Sequence, residues 1–377
     1  MSTRQKLPLA DDVEIARRVL AHIDAGTTDE GEVWREPVQN YLDPARFAAE
    51  LRVLRAVASV FGPSAALPDV GDHIERPVFG VPLFAVRDRE HRVRVFRNAC
   101  RHRGAKLVQG SGCSRAFVCS YHGWTYALDG ALAHVPHPEG FPGLDTASRG
   151  LVEVPSREVD GLIVLDPLEP TAHAEPALHD GSPWRDKLAN LKHVGGVNTS
   201  VQPINWKVLV EQFLEGYHIR ATHSKTFYPL QYDNLNVIEF FGPNSRITYP
   251  YRNIERLRDR PESTWVLGHR LTFLYHLFPN VMIATFPEVT LVVVIDPIDV
   301  AQTTLTTYSL AQLAPATDTH PADAGRSLVE QGAREDNAMS MAVQRGLASG
   351  ANTWLEFGRY ESAIGHFHRQ LAALLSR

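Results

Sequence analysis

Cys100-Arg101-His102-Arg103-Gly104-Ala105 and Cys119-Ser120-Tyr121-His122-Gly123-Trp124 decide the reading of this chain. Each segment offers one thiolate and one imidazole, with sixteen residues between His102 and Cys119. Two Cys and two His commonly hold zinc, but zinc sites usually pair Cys with Cys and His with His. One Cys and one His per loop instead suits a [2Fe–2S] cluster, in which two thiolates hold one iron and two imidazoles the other. Neutral imidazoles in place of thiolates remove negative charge, so the cluster is easier to reduce than an all-Cys one. A structural zinc site is the alternative for the same four residues.

A second constellation lies in 205–223. Asn205-Trp206-Lys207 opens a stretch in which Glu211, Glu215 and His218 fall at i, i+4 and i+7, one face of a helix. His223 comes five residues later, off that face, so the helix is expected to end or distort near 219–222. Two histidines and a carboxylate leave open positions on a mononuclear Fe(II). The carboxylate must come from elsewhere, and Asp336 in Ala333-Arg334-Glu335-Asp336-Asn337-Ala338 is the expected donor, with Glu335 the runner-up. Solvated charges on a helix surface are the plain alternative for both.

The two Cys/His segments resemble the cluster loops of Rieske oxygenases, and 333–338 with Gln344-Arg345-Gly346-Leu347 resembles their C-terminal ligand region. The likeness covers roughly residues 35–370 and is to the catalytic (α) subunit of Rieske non-haem iron oxygenases. It implies an α+β chain: a small antiparallel β Rieske domain, then a helix-flanked antiparallel sheet of helix-grip, START-like type. It implies a Rieske [2Fe–2S] cluster on Cys100, His102, Cys119 and His122, and Fe(II) on His218, His223 and Asp336. Respiratory-chain Rieske proteins add a disulfide between the loops; Ala105 and Tyr121 stand at those places, and Cys113 has no evident partner.

The resemblance also assigns Glu215 as the carboxylate that joins an iron histidine to a cluster histidine of the neighbouring subunit. Most ring-hydroxylating members carry Asp there, while Glu looks like several members acting on choline, carnitine or betaine-type amines. Gln212 is placed near the iron shell. The implied activity is that of a terminal oxygenase using O2 to hydroxylate or oxidatively demethylate a small aromatic or quaternary-amine substrate. A ring-dihydroxylating α subunit with a small β subunit is one alternative. A Rieske electron carrier with an inactive C-terminal domain is another. Electrons are expected from a flavin/iron–sulfur reductase using NAD(P)H, possibly through a ferredoxin, and the oligomer is expected to be at least a trimer. The chain has no Gly-x-Gly-x-x-Gly fingerprint with which to take hydride itself.

Composition narrows the setting. At 377 residues there is room for two domains. A net charge near −5 gives no electrostatic footprint for nucleic acid, and no apolar run approaches a membrane span. The first twelve residues lack an apolar signal core, and three cysteines make no disulfide framework, so a reducing cytoplasm is expected. The expected divisions are 1–40, an N-terminal helical segment; 41–165, the cluster domain; 166–183, a linker; and 184–377, the iron domain. Helices are expected at 11–25, 43–54 and 360–375. Strands are expected through 78–86 and at 92–97, 161–165, 271–277, 280–286, 289–295 and 303–311. His173 and His179 read as surface residues, and His269 and His276 as hydrogen-bonded structural ones. The aromatics Phe240, Phe241, Tyr249, Tyr251, Trp265, Phe273, Tyr275 and Phe278 read mainly as core.

If this ligand assignment is right, Cys113→Ser retains the visible absorption of the cluster. Bleached protein would show that Cys113 had been wrongly left out of the ligand set.

Overall fold

The computed structural model describes residues 9–169, 183–312 and 321–376. The linker histidines His173 and His179 lie outside them. Two compact units emerge, Leu54–Asp180 and the combination of Met1–Val53 with Gly181–Arg377. Among the described residues no helix is long and apolar enough to cross a membrane.

The smaller unit is all antiparallel. Five strands run in the order Glu153–Val154, Val93–Arg97, Val81–Arg87, Asp72–Val78, Ser111–Cys113. A three-stranded sheet holds Ser156–Val159, Leu162–Leu165 and Ser59–Pro63, and another holds Phe117–Val118, Thr125–Tyr126 and Leu132–His134. The run expected through 78–86 is a hairpin instead. Phe79 and Gly80 both take positive φ, 48° and 80°, which turns the chain in the hand that suits twisted strands. In Val93–Arg97 the alternation is as read: Val93 and Val95 are buried, and Arg94 reaches back to Asp88 at 2.8 Å. Phe84, Phe96, Phe117, Trp124, Tyr126 and Leu128 form a core that also takes in Cys100 and Cys119.

The larger unit is an eight-stranded antiparallel sheet with helices. Its path runs Lys192–His193, Gln302–Ala311, Thr290–Asp299, Val281–Thr285, Leu271–Leu277, Asn244–Pro250, Val237–Phe241, with Asn198–Gln202 also paired to Gln302–Ala311. Only four of these strands are announced by apolar runs. Asn244–Pro250 hides because its interior is largely polar: Asn244, Ser245, Arg246 and Thr248 are inside beside Ile247. Arg246 is paid for by its cross-strand partner Glu239 at 2.9 Å. The helix Ser362–Leu375 buries Ala363, Ile364, Phe367, His368 and Leu371 along one stripe. The helix Asp12–Ala25 is capped by Asp11, which accepts from the Glu14 amide at 2.8 Å, and closes on Gly26 at φ 61°.

The boundary expected at residue 41 lies instead at 54, for an electrostatic reason. Helix Pro44–Arg55 carries the fully buried Glu50, which accepts from Lys207 Nζ at 2.8 Å and from Trp206 Nε1 at 3.0 Å. Tyr41, just before it, donates to Glu211 at 2.5 Å, and His368 binds the same oxygen at 2.8 Å. Those contacts tie 41–53 to the start of the Trp206–Glu211 helix. Asn205 caps that helix by accepting from the Lys207 amide at 2.9 Å, and its own amide bonds the carbonyls of Tyr41 and Val300.

Lys207→Met should therefore leave Glu50 buried with too little positive charge and cost about 3–5 kcal/mol of unfolding free energy. Denaturant unfolding measures it. The double variant Lys207→Met/Glu50→Gln should recover part of the loss; no loss in the single variant would show that Arg46, whose Nε lies 3.0 Å from Glu50, neutralises it alone.

Candidate metal centres

The cluster loops are two copies of one backbone device. The Cys100 amide donates to the Ala105 carbonyl at 2.8 Å, and the Gly104 amide donates back to the Cys100 carbonyl at 2.8 Å. In the second loop Cys119 bonds Trp124 at 2.8 Å and Gly123 bonds Cys119 at 2.9 Å. Gly104 and Gly123 sit at φ 76° and 73°, a left-handed conformation that closes each loop and favours glycine. Both thiols are buried, and the His102 and His122 rings face each other with centroids 4.6 Å apart. Trp124 stacks flat on His102 at 4.9 Å, and Phe141 abuts it edge-on.

These residues fit a [2Fe–2S] cluster better than zinc. Nδ1 of His102 is buried without a protein partner, as a nitrogen waiting for a metal would be. A single tetrahedral zinc with bonds of about 2.0–2.3 Å would draw its donors tightly together. Among the described residues, the Cys/His/carboxylate group found within 4.8 Å of one another is His218, His223 and Asp336, not the cysteine quartet. Tyr126 takes the Arg101 amide at 2.9 Å and lies 3.3 Å from Cys100 Sγ. Burial and that sulfur contact push its hydroxyl pKa up. Ala105 and Tyr121 leave no inter-loop disulfide, and Cys100, Cys113 and Cys119 are all free thiols.

In the larger unit the backbone departs from the expected single helix. The helix stops at Glu211, and a short second one, Ile219–Thr222, follows. Glu211 consequently turns away into the Tyr41 and His368 contacts instead of sharing a face with Glu215 and His218. The turn between is pinned by Tyr249, whose hydroxyl donates to the carbonyls of Phe213 at 2.9 Å and Glu215 at 3.2 Å. Gly216 permits the close approach: a Cβ there would sit 2.4 Å from Asn236 Oδ1. His218 and His223 flank the short helix, one at each end.

Their Nε2 atoms are 3.2 Å apart. Asp336 Oδ1, delivered by the long helix Pro321–Leu347, lies 2.9 Å from His223 Nε2 and 3.4 Å from His218 Nε2. The other face of each ring is also held. Glu215 bonds His218 Nδ1 and accepts from the His218 amide at 3.1 Å. Glu335 lies 2.8 Å from His223 Nδ1, so the runner-up carboxylate sits behind the histidine and Asp336 in front. Burial pulls His218 down, but the charges of Glu215 and Asp336 and their hydrogen bonds override it and push its pKa up to about 10. Burial likewise favours a neutral Asp336, yet its bonds to the two imidazoles hold it below the usual carboxylate range. Three carboxylates around two imidazoles make a strongly negative site whose charge a divalent cation would largely offset.

A cavity of about 640 Å³ opens onto this triad. Its apolar wall includes Leu274, Ala284, Leu291 and Val293, and its polar wall Asn198, Ser200, Thr307 and Ser309. Gln212 lines it and accepts from Ser340 on the Asp336 helix. Of the aromatics named from sequence, Tyr249 alone is among the lining residues; Phe213, Phe227 and Phe286 were overlooked. Residues 226 and 227 gave no signal in sequence, because single Thr and Phe residues after a histidine carry no pattern. His276 is fully buried, bonds the Pro279 carbonyl at 3.2 Å and is pushed by burial down to about 4, as befits a structural histidine. His269 is exposed, 3.5 Å from Glu288.

Known proteins fall in line with these centres. Residues 188–377 match the ring hydroxylating alpha subunit (catalytic domain) family, and residues 59–151 match the Rieske [2Fe-2S] domain. The biphenyl dioxygenase subunit alpha of Paraburkholderia xenovorans (strain LB400) is 31% identical over 198 residues, 48% of this chain and 43% of that protein. The chain thus spans under half the length of that relative. The carnitine monooxygenase oxygenase subunit of Escherichia coli (strain K12) is 28% identical over 376 residues, 90% of this chain and 94% of that protein. A quaternary ammonium Rieske monooxygenase, solved in connection with carnitine oxidation by gut microbiota and inter-subunit electron transfer, shares the fold. It aligns at a TM-score of 0.75 and 21% identity over 98% of this chain and 99% of its own.

His218→Ala removes one of three donors and should abolish Fe(II) uptake at the triad while the visible absorption of the cluster persists. Joint loss of both metals would mean that the two centres do not sit in independent units.

Proposed function

The chain belongs to the ring-hydroxylating α-subunit family, and on that premise we propose that it is the terminal oxygenase of a multicomponent system. In this reading a separate NAD(P)H-dependent flavin reductase, with or without a ferredoxin, supplies electrons, and O2 oxidises a small organic substrate. The observation that carries the proposal is the triad itself: two Nε2 atoms and one carboxylate oxygen within 3.4 Å of one another at the edge of a cavity. Three protein donors leave coordination positions for other ligands.

Cys100, His102, Cys119 and His122 are proposed to hold the [2Fe–2S] cluster, and His218, His223 and Asp336 the mononuclear Fe(II). When bound, the cluster supplies single electrons and the iron supplies O2 activation for hydroxylation, oxidative demethylation or cis-dihydroxylation. The chain's own residues orient and shield. Glu215 keeps the proton of His218 on Nδ1 and so keeps Nε2 free to ligate. The same carboxylate has a further acceptor lone pair for an imidazole of a neighbouring subunit. We propose that it is used so, in an oligomer of at least three copies; the relative studied for inter-subunit electron transfer supports this arrangement. Gln212 and Ser340 fasten the histidine segment to the carboxylate helix.

The cavity walls support an apolar-bodied substrate with a hydrogen-bonding group turned to Asn198, Ser200 and Thr307. Of the four aromatics that line it, Phe227 and Phe286 stack on each other at 5.9 Å, and Phe227 meets His223 edge-to-face at 4.9 Å.

Anaerobically purified protein should contain three irons and two acid-labile sulfides per chain, with a Rieske-type paramagnetic signal after dithionite. Two irons and two sulfides that Fe(II) addition does not raise to three would favour an electron carrier. Zinc without sulfide would end the proposal. Incorporation of labelled O2 into product then separates one-atom from two-atom oxygenation.

A further inference from the structure

The Glu335 carboxylate stands behind His223 in a built setting. Its Oε2 lies 2.8 Å from His223 Nδ1 and accepts from Thr226 Oγ1 at 2.6 Å. A neutral imidazole carries one N–H, and an acceptor at Nδ1 fixes that hydrogen there, leaving the Nε2 lone pair for the triad. Asp336, the next residue on the same helix, meets Nε2 at 2.9 Å. Successive helix positions thus grip one ring from opposite sides. Thr226 is itself turned back onto its neighbour, its amide donating to the His223 carbonyl at 3.1 Å.

The helix must come very close for this. Gly332, one turn before Glu335, provides the room: a Cβ there would lie 2.3 Å from Phe227 Cε2. Phe227 in turn packs edge-on against the His223 ring at 4.9 Å. Glycine is a poorer helix former than alanine, so its presence at the contact is accounted for by approach and not by helix stability.

We propose that Glu335 is a positioning residue that fixes the tautomer and orientation of His223, with Thr226 and Gly332 holding it in place. It does for His223 what Glu215 does for His218, but from a distant helix, so docking of that helix and formation of the metal site become one event. The proposal rests on the oxygenase reading above and goes beyond it by assigning a residue that binds no metal.

The test uses full-length protein with the cluster retained and the mononuclear metal removed. Fe(II) affinity is measured by chelator competition, and Co(II) paramagnetic resonance is recorded with the cluster oxidised and silent. Replacing carboxylates that orient metal-bound histidines typically weakens affinity about 10–100-fold. Glu335→Ala should fall in that range and alter the Co(II) signal, with cluster absorption intact. Glu335→Gln, which can still accept from Nδ1 but lacks the charge, should fall between it and the wild type. Thr226→Val should weaken binding by a smaller factor in the same direction, and it decides the matter should Glu335→Ala not fold. Affinities within twofold of wild type and an unchanged Co(II) signal would overturn the proposal, even if the variants melt earlier. Failure of the wild type to take up either metal would overturn the oxygenase reading and this inference together; wild-type uptake matched by the variants overturns this inference alone.

Discussion

Holding Asp336 Oδ1 within 2.9 Å of His223 Nε2 is the constraint around which the larger unit is organised. Three ligand atoms that share one small volume must be brought there from two places far apart in sequence. A carboxylate and two imidazoles must also leave water together. The chain meets this by backing each ring with a second carboxylate, Glu215 for His218 and Glu335 for His223. The extra negative charge does not weaken the apo site as like charges alone would, because each carboxylate sits against a ring nitrogen that carries hydrogen. The Lys207–Glu50 pair and the Asn205 cap then fix the start of the histidine segment. Gly332 sets how near the carboxylate helix comes.

The two centres solve assembly in opposite ways. Each cluster loop closes on itself by backbone bonds across five residues, Cys100 to Ala105 and Cys119 to Trp124. Their ligands therefore come as local pairs whose geometry is written into a short stretch, glycine included. The triad has no such local closure. His218 and His223 flank four helical residues, and Asp336 arrives on a helix more than a hundred residues later. The first is a property of turns, the second of tertiary packing.

That difference explains what was legible in the sequence. The cluster quartet could be read directly because Cys-x-His and Cys-x-x-His with left-handed glycines form a local code. His218 and His223 could be picked out by their spacing, and Asp336 through resemblance to a family. The spacing argument that put Glu211 beside Glu215 and His218 failed. It assumed an unbroken helix, and nothing in the periodicity announces that Tyr249 binds the carbonyls of Phe213 and Glu215 in the turn that interrupts it. The strand Asn244–Pro250 was missed for a related reason: its interior is largely polar, with Arg246 bonded to Glu239 on the next strand, and a hydrophobicity pattern is blind to that. Periodicity alone does not separate Glu335 from Asp336, and only the resemblance favoured Asp336, since adjacent acidic residues differ only in which side of His223 the docked helix presents.

The cavity shows how chemistry and selectivity come apart in this unit. The proposed metal donors sit on helices and their ends, whereas the wall that faces them across the cavity includes one face of the sheet. Leu291 and Val293 on one strand, and Leu305, Thr307 and Ser309 on its neighbour, line the space at alternate positions, as side chains on one face of a sheet must. Asn198, Ser200 and Gln202 do the same on the strand paired to it. A substitution at one of these inward positions changes wall shape or polarity without moving a donor atom, because the strand's backbone bonds are unaffected by which side chain projects from it. Gln202 is the exception: it accepts from Asn337 at 2.9 Å, next to Asp336, and so couples the polar wall to the carboxylate helix. The sheet face that lines this cavity is half hydrocarbon and half hydroxyl and amide, so it offers apolar contact on one side and hydrogen bonds on the other.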